Sequence, residues 1–301
     1  MTVFLCPAFF MLTKEQFISL ADKYETPSFL DKDPSKFMHR FLPENGGSVA
    51  DAELVAFTAA NLAFGRREQI LSHVEMIVGF MKNDGLFPVE WVLSRAYERY
   101  FELSKKSFYR MYSFNDMRIF FDSVREFLEE EGSLGQYFKK KWEEGNVTGS
   151  AETAGINVNT GSAETAGDCA VTGSAVPRRK TYLHSVIAGA FKTPCSLISR
   201  SPDGCAKKIN MFLRWMVRDN SPVDLGLWTW YDKKNLLMPL DTHVMQQSVE
   251  LGFIKKTAQG GVPSANLRTA LALTCKMNEY FPGDPVRGDF ALFGFGVNRG
   301  Q

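Results

Sequence analysis

The sequence has nothing spaced to hold a metal ion. Its five cysteines, at 6, 169, 195, 205 and 275, contain no C-x-x-C pair, and its four histidines, at 39, 73, 184 and 243, stand alone. Zinc sites and four-cysteine iron–sulfur loops need closely spaced ligands, so no metal and no cofactor is expected. The odd number of scattered thiols also argues against a disulfide frame and fits a reducing, cytoplasmic setting.

Net charge is equally absent, since 35 Lys and Arg against 34 Asp and Glu leave +1. No bulk field draws the chain to nucleic acid or membrane, so any phosphate must be bound by a local basic surface. No apolar run reaches the roughly 18 residues that a membrane span needs, and no membrane partner is expected. The chain opens with MTVFLCPAFFM, which is apolar but lacks the basic n-region and small-residue cleavage site of a signal peptide. Residues 1–12 are expected to be an N-terminal extension, with Met11 a candidate start.

Alternating, strand-like runs are scarce. From Thr13 onward apolar residues recur at helical spacing in EQFISLADKY, AELVAFTAANLAFG, REQILSHVEMIVGFM, MRIFFDSVREFLEE and KKINMFLRWMVR. The spacing predicts an all-α fold in which the 25 Phe mostly fill the space between helices. One stretch departs from it, GNVTGSAETAGINVNTGSAETAGDCAVTGSAVP. Its unit TGSAETAG at 148–155 returns at 160–167, a period of twelve, and TGSA returns at 172. With no Lys or Arg and almost no large apolar side chain, residues 145–177 are expected to form a disordered insertion. They separate an N-terminal helical part, 13–144, from a C-terminal helical part, 178–301.

Two segments of the C-terminal part carry candidate chemistry. SRSPDGCAKKINMFLRWMVR opens with the turn formers Pro202, Asp203 and Gly204 and runs into a helix. Ile209, Phe212, Leu213 and Met216 share an apolar face of that helix, and Lys207, Arg214 and Arg218 share another. The basic face is either simply solvated or, with the amides near Gly204 and the helix dipole, a phosphate clamp. In LMPLDTHVMQQSVELGF, Asp241 is a good N-cap for the helix that follows, which alone accounts for most aspartates so placed. His243, with no second histidine one turn on, reads first as a helix-surface or core residue.

In combination, PDGCAKKIN followed by PLDTHV resembles the helix-hairpin-helix DNA glycosylase superfamily, whose members carry a lysine just after a hairpin and a V-D-T-H-type aspartate downstream. More closely, DAELVAFTAANLAFGRREQI, KKINMFLRWMVR, VDLGLW, PLDTHV and DPVRGDFALFGFG are similar to a bacterial family known only as a domain of unknown function, itself related to that superfamily. The likeness spans nearly all of the chain outside the first dozen residues and the repeat insertion.

The resemblance implies a two-lobed helix-hairpin-helix glycosylase-like fold with DNA lying across a cleft. It implies a DNA-repair N-glycosylase, with AP-lyase activity, acting on duplex DNA that carries a damaged base such as an oxidised one. Lys207 would be the nucleophile, with Lys208 the alternative, because KKINMFL then aligns with the superfamily's K-T-A-N-V-V-L. Asp241 would be its electrostatic partner. Gly204, Lys208, Arg214, Arg218, Arg66 and Arg67 would bind DNA. Phe64, Asn210, Trp228, Trp230 and His243 would line the substrate pocket, although for Trp228, Trp230 and Tyr231 the residues themselves favour packing in a core, the usual fate of aromatics beside an apolar run.

The chemistry is intelligible on its own terms. A lysine amine can attack a sugar C1′ as the base leaves, provided burial or a neighbouring cation such as Lys208 frees its lone pair. A nearby carboxylate stabilises the positive charge that develops on the sugar, and the target base is flipped out of the duplex. Two features depart from the superfamily pattern. The hairpin reads SPDGCAKK rather than L-P-G-V-G-x-x-T, and Lys207 and Asp241 lie 34 residues apart, a long separation shared with the archaeal 8-oxoguanine glycosylase branch. Only Cys275 follows Asp241, so the cluster-bearing branch is not implied. A non-catalytic nucleic-acid-binding module on the same scaffold, and a helical protein–protein adaptor, are the competing expectations.

Overall fold

The computed structural model describes residues 12–149 and 181–299. The expected N-terminal extension thus lies almost wholly outside the described residues, as does most of the expected repeat insertion. Its first residues, 145–149, continue a helix.

The described chain is helical: α1 (Lys14–Tyr24), α2 (Lys36–His39), α3 (Val49–Leu62), α4 (Arg67–Asp84), α5 (Pro88–Leu93), α6 (Phe114–Glu131), α7 (Leu134–Gly149), α8 (Leu183–Ala190), α9 (Lys207–Val217), α10 (Thr242–Glu250), α11 (Leu267–Tyr280) and α12 (Gly288–Arg299). Local chemistry sets many of these boundaries. Thr13 with Gln16, and Ser113 with Asp116, form capping boxes, and Ser48, Asp241 and Asn266 accept first-turn amides. Gly132 ends α6 at φ 75, a left-handed conformation that costs glycine little. The all-α class has one exception, a small antiparallel hairpin of β1 (Ser107–Tyr109) and β2 (Tyr112–Ser113) in which Tyr109 pairs with Tyr112.

The helix α3 is buried on every side from Asp51 to Leu62, as its all-round apolar sequence requires of a central helix. Two of its polar side chains bond within the helix, Thr58 Oγ1 donating to Leu54 O and Asn61 Nδ2 to Phe57 O, each at 2.9 Å, while Asp51 and Glu53 accept the N–H groups of Val89 and Gly135 from neighbouring elements. Around Phe57 gather Phe120, Phe138, Phe191 and Phe212, with ring centroids 4.9 to 6.1 Å away. Phenylalanine is thus the material of the interhelical core, as its spacing in the sequence predicts.

Packed on α3 lies α9, while α1 runs along α12 and α10 also meets α12. The two ends of the described chain therefore come together beside α10, and ion pairs from α9 to Asp241 and Asp289 tie α9 to that side as well. Residues 191–206 join α8 to α9 through turns and bends. Among the described residues no helix is long and apolar enough to cross a membrane.

Candidate functional site

The site is built where two helices begin. Lys207 opens α9 immediately after Ala206, which sits at φ 43 and ψ 44. An alanine in the left-handed region costs on the order of 1 kcal/mol, so the surrounding contacts must hold it there. One of them is Asn210, whose Nδ2 donates to Cys205 O at 2.9 Å. Asp241 opens α10, its Oδ1 accepting the Val244 N–H at 2.8 Å.

These two starts face one another. Lys207 Nζ lies 3.5 Å from Asp241 Oδ2 and 3.4 Å from Ala63 O, just past the end of α3, where helix carbonyls favour a cation. The side chains are 30% and 35% exposed, enough for an incoming molecule to reach both. They line a cleft of about 1190 Å³ whose walls also hold Phe64, Arg66, Arg67, His243, Asp289 and Phe293. That volume exceeds a typical small-molecule site, roughly 300–1,000 Å³.

The rim of the cleft is cationic. Arg67 stacks its guanidinium on Phe293 at 5.5 Å, and Arg110, in the turn between β1 and β2, stacks on Phe64 at 4.8 Å. Neither of these nor Arg66 makes an ion pair among the described residues, and all three are exposed. Inside the cleft Asp289 accepts a hydrogen bond from Arg214 Nη1. Burial pushes its carboxyl up to about 6, against the attraction of Arg214 and with the help of the charge on Asp241.

Sequence reasoning missed Asp289 and Arg110. Asp289 had a readable signal, a carboxylate in the first turn of the otherwise apolar GDFALFGFG. Arg110 had little, because the hairpin that presents it is too short to show a period.

Several expected site residues lie elsewhere. Lys208 turns away from the cleft and gives its Nζ to Tyr112 OH at 3.0 Å and to Leu197 O, while burial pulls the ammonium down to about 8. Arg218 is buried and binds Glu25, Asp224 and Asp284. Arg214 reaches the cleft wall but is also buried, held between Asp224 and Asp289. Arg214 and Arg218 are therefore not solvated, because the carboxylates of Glu25, Asp224, Asp284 and Asp289 close over them, whereas Lys207 on the same face opens to the cleft.

Gly204 is likewise occupied. Its N–H donates to Ser201 O at 3.1 Å and its backbone bridges to Asn266. Asn210 is buried and anchors the turn before α9 instead of lining the cleft. Trp228 is buried with its Nε1 donating to Glu53 Oε1 at 2.7 Å, and Trp230 stacks on it at 5.4 Å. Trp228 belongs to the core and the half-buried Trp230 packs against it, and neither lines the cleft. Phe64, Arg66, Arg67, Lys207, Asp241 and His243 do share it. Among the described residues no three His, Cys, Asp or Glu side chains gather as a metal site.

The chain belongs to the protein family of unknown function DUF2400, whose family model matches residues 33–298. Every cleft residue named above falls within that span. No curated protein and no solved structure matches the chain.

Proposed function

We propose that the protein is a DNA-repair N-glycosylase with AP-lyase activity, built as a two-lobed helix-hairpin-helix glycosylase-like fold, and that its cleft takes a damaged nucleotide turned out of a duplex. The observation that carries this reading is the Lys207–Asp241 pair, 3.5 Å apart in a cleft rimmed by arginines that make no ion pair among the described residues. Phosphates would meet Arg66 and Arg67, and Phe64 and His243 would flank the base.

In this reading the free-base form of Lys207 Nζ bonds to the sugar C1′ as the C1′–N bond to the base breaks, the base leaving with the electron pair and taking up a proton. Ring opening gives a Schiff base. Loss of a C2′ proton then expels the 3′ phosphate, and water releases the sugar from the lysine. Asp241 would take the ammonium proton and face the cationic sugar.

Borohydride trapping on duplexes containing an abasic site or 8-oxoguanine tests the proposal. A covalent adduct is expected with the wild type and not with Lys207→Ala. An adduct that survives Lys207→Ala and disappears in Lys208→Ala would move the nucleophile by one residue. The second reading, a nucleic-acid-binding module without catalysis, is favoured by the rim arginines, which account for binding with no chemistry. It gives salt-dependent duplex binding and no adduct. No binding at all would leave a helical adaptor.

A further inference from the structure

The stretch ELSKKSFYRMYS, residues 102–113, breaks several local rules at once. It carries Leu103 and Met111, 78% and 68% exposed, the most exposed of the large apolar side chains among the described residues. It carries Lys105, Lys106 and Arg110, all exposed and none in an ion pair among the described residues. Its two-residue turn is formed by Arg110 and Met111, with Arg110 at φ 53. Two-residue turns with positive φ at the first central residue ordinarily place Gly there, which takes up that φ without strain and exposes nothing apolar.

Looseness does not explain these departures. Tyr109 and Tyr112 are buried on either side of the turn, and Phe108 meets Phe101 and Phe114 edge-on at 5.2 and 5.4 Å. Ser107 Oγ donates to Arg110 O at 2.9 Å across the turn itself. The tip is a narrow projection on a packed base, and its position is fixed. Tyr109 OH donates to Phe64 O, and Arg110 lies over the Phe64 ring. Gly65, at φ 117, leaves the room: a Cβ there would come 2.6 Å from Arg110 Nη1. The projection therefore stands on the rim of the cleft, beside Arg66 and Arg67.

A narrow apolar tip surrounded by cations fits a partner with an apolar slot between rows of negative charge. Stacked bases between phosphodiester strands have that form, whereas a lipid surface would favour a broad apolar face. We infer that the β1–β2 hairpin is a nucleic-acid wedge, with Met111 entering the base stack beside the nucleotide that the cleft takes up, and Arg110, Lys105 and Lys106 binding the flanking phosphates. Apolar side chains, Met among them, are used in this way to part base steps, and the unstacking is offset by added phosphate contacts. Met suits the task because its flexible, polarizable side chain adapts to an irregular gap. The inference rests on the reading of the cleft as a nucleotide site, and it adds the element that would hold the duplex open there.

The test uses the full chain and a duplex carrying 2-aminopurine next to an abasic site. Saturating wild-type protein is expected to raise the 2-aminopurine fluorescence as the neighbouring stack opens, and Met111→Ala to lose most of that rise on duplex that anisotropy shows to be fully bound. Arg110→Gln is expected to lower the slope of log affinity against log salt by about one. Both side chains are at the surface, so neither change disturbs the core. No rise with the wild type, or an equal rise with Met111→Ala, overturns the inference. So does binding to phosphatidylserine vesicles that Met111→Ala abolishes while its duplex signals stay at wild-type level. A borohydride adduct without the fluorescence change sinks the wedge alone, and the fluorescence change without an adduct sinks the lyase reading alone.

Discussion

The carboxylate of Asp241 is divided between its own helix and Lys207: Oδ1 accepts the Val244 N–H at 2.8 Å, and Oδ2 lies 3.5 Å from Lys207 Nζ. Helix cap and ion pair are one feature. The hydrogen bond that starts α10 also fixes the direction in which the second oxygen points, so capping supplies the rigidity that an electrostatic catalyst needs.

The two roles separate by substitution. Asparagine caps a helix about as well as aspartate, whereas alanine loses about 1 kcal/mol. Asp241→Asn should therefore unfold in urea within about 0.5 kcal/mol of the wild type, and Asp241→Ala should be clearly less stable. If the carboxylate works on the reaction, Asp241→Asn should slow formation of the borohydride-trapped adduct by about 100-fold or more. An asparagine variant that traps at the wild-type rate would reduce Asp241 to a cap.

Arg218 and the rim arginines should behave in opposite ways. Arg218 neutralises Glu25, Asp224 and Asp284 in the interior, so Arg218→Ala leaves buried carboxylates short of their cation at a cost of about 3–5 kcal/mol. Its folded fraction should bind duplex with the wild-type salt dependence. Arg66→Gln and Arg67→Gln should leave stability within about 0.5 kcal/mol and each lower the salt slope by about one. Urea unfolding and a salt titration of duplex affinity read both quantities. A changed salt slope in Arg218→Ala would mean that the buried network reaches the nucleic acid after all.

What the sequence shows and what it hides divide along range. The helix starts at Thr13, Ser113 and Asp241 are legible because cap and amide lie three residues apart. The central position of α3 is legible because its apolar residues run round the whole helix. The state of Arg214 and Arg218 is not, since a basic helical face looks the same whether solvated or covered. Their partners Glu25, Asp284 and Asp289 come from near the two ends of the described chain. Trp228 is hidden for a similar reason: Glu53, which receives its indole N–H, lies 175 residues earlier. Lys207 and Asp241 could be singled out only through the resemblance that PDGCAKKIN and PLDTHV carry, and only the packing of α9 and α10 decides that they meet. The hairpin at 107–113 is too short to register as a strand pattern, and Arg110 was lost with it.

Asp289 gives the last expectation, a pH dependence with a definite sign. Its carboxyl, ordinarily at 3.8, is pushed up to about 6, chiefly by burial. Arg214 and Lys207 oppose the rise, and the charges of Asp241 and Asp224 add to it. The folded protein therefore holds a proton that the unfolded chain releases between those two values. The stabilisation this represents is fully present below pH 3.8 and is lost as pH rises through about 6. A rise of that size corresponds to about 3 kcal/mol. Asp289→Asn, neutral throughout and still able to accept from Arg214, has no such loss. Its stability relative to the wild type should climb by about 3 kcal/mol between pH 4 and pH 7, read by urea unfolding at several pH values. A difference that stays flat across that range would show that Asp289 is an ordinary ionised partner of Arg214.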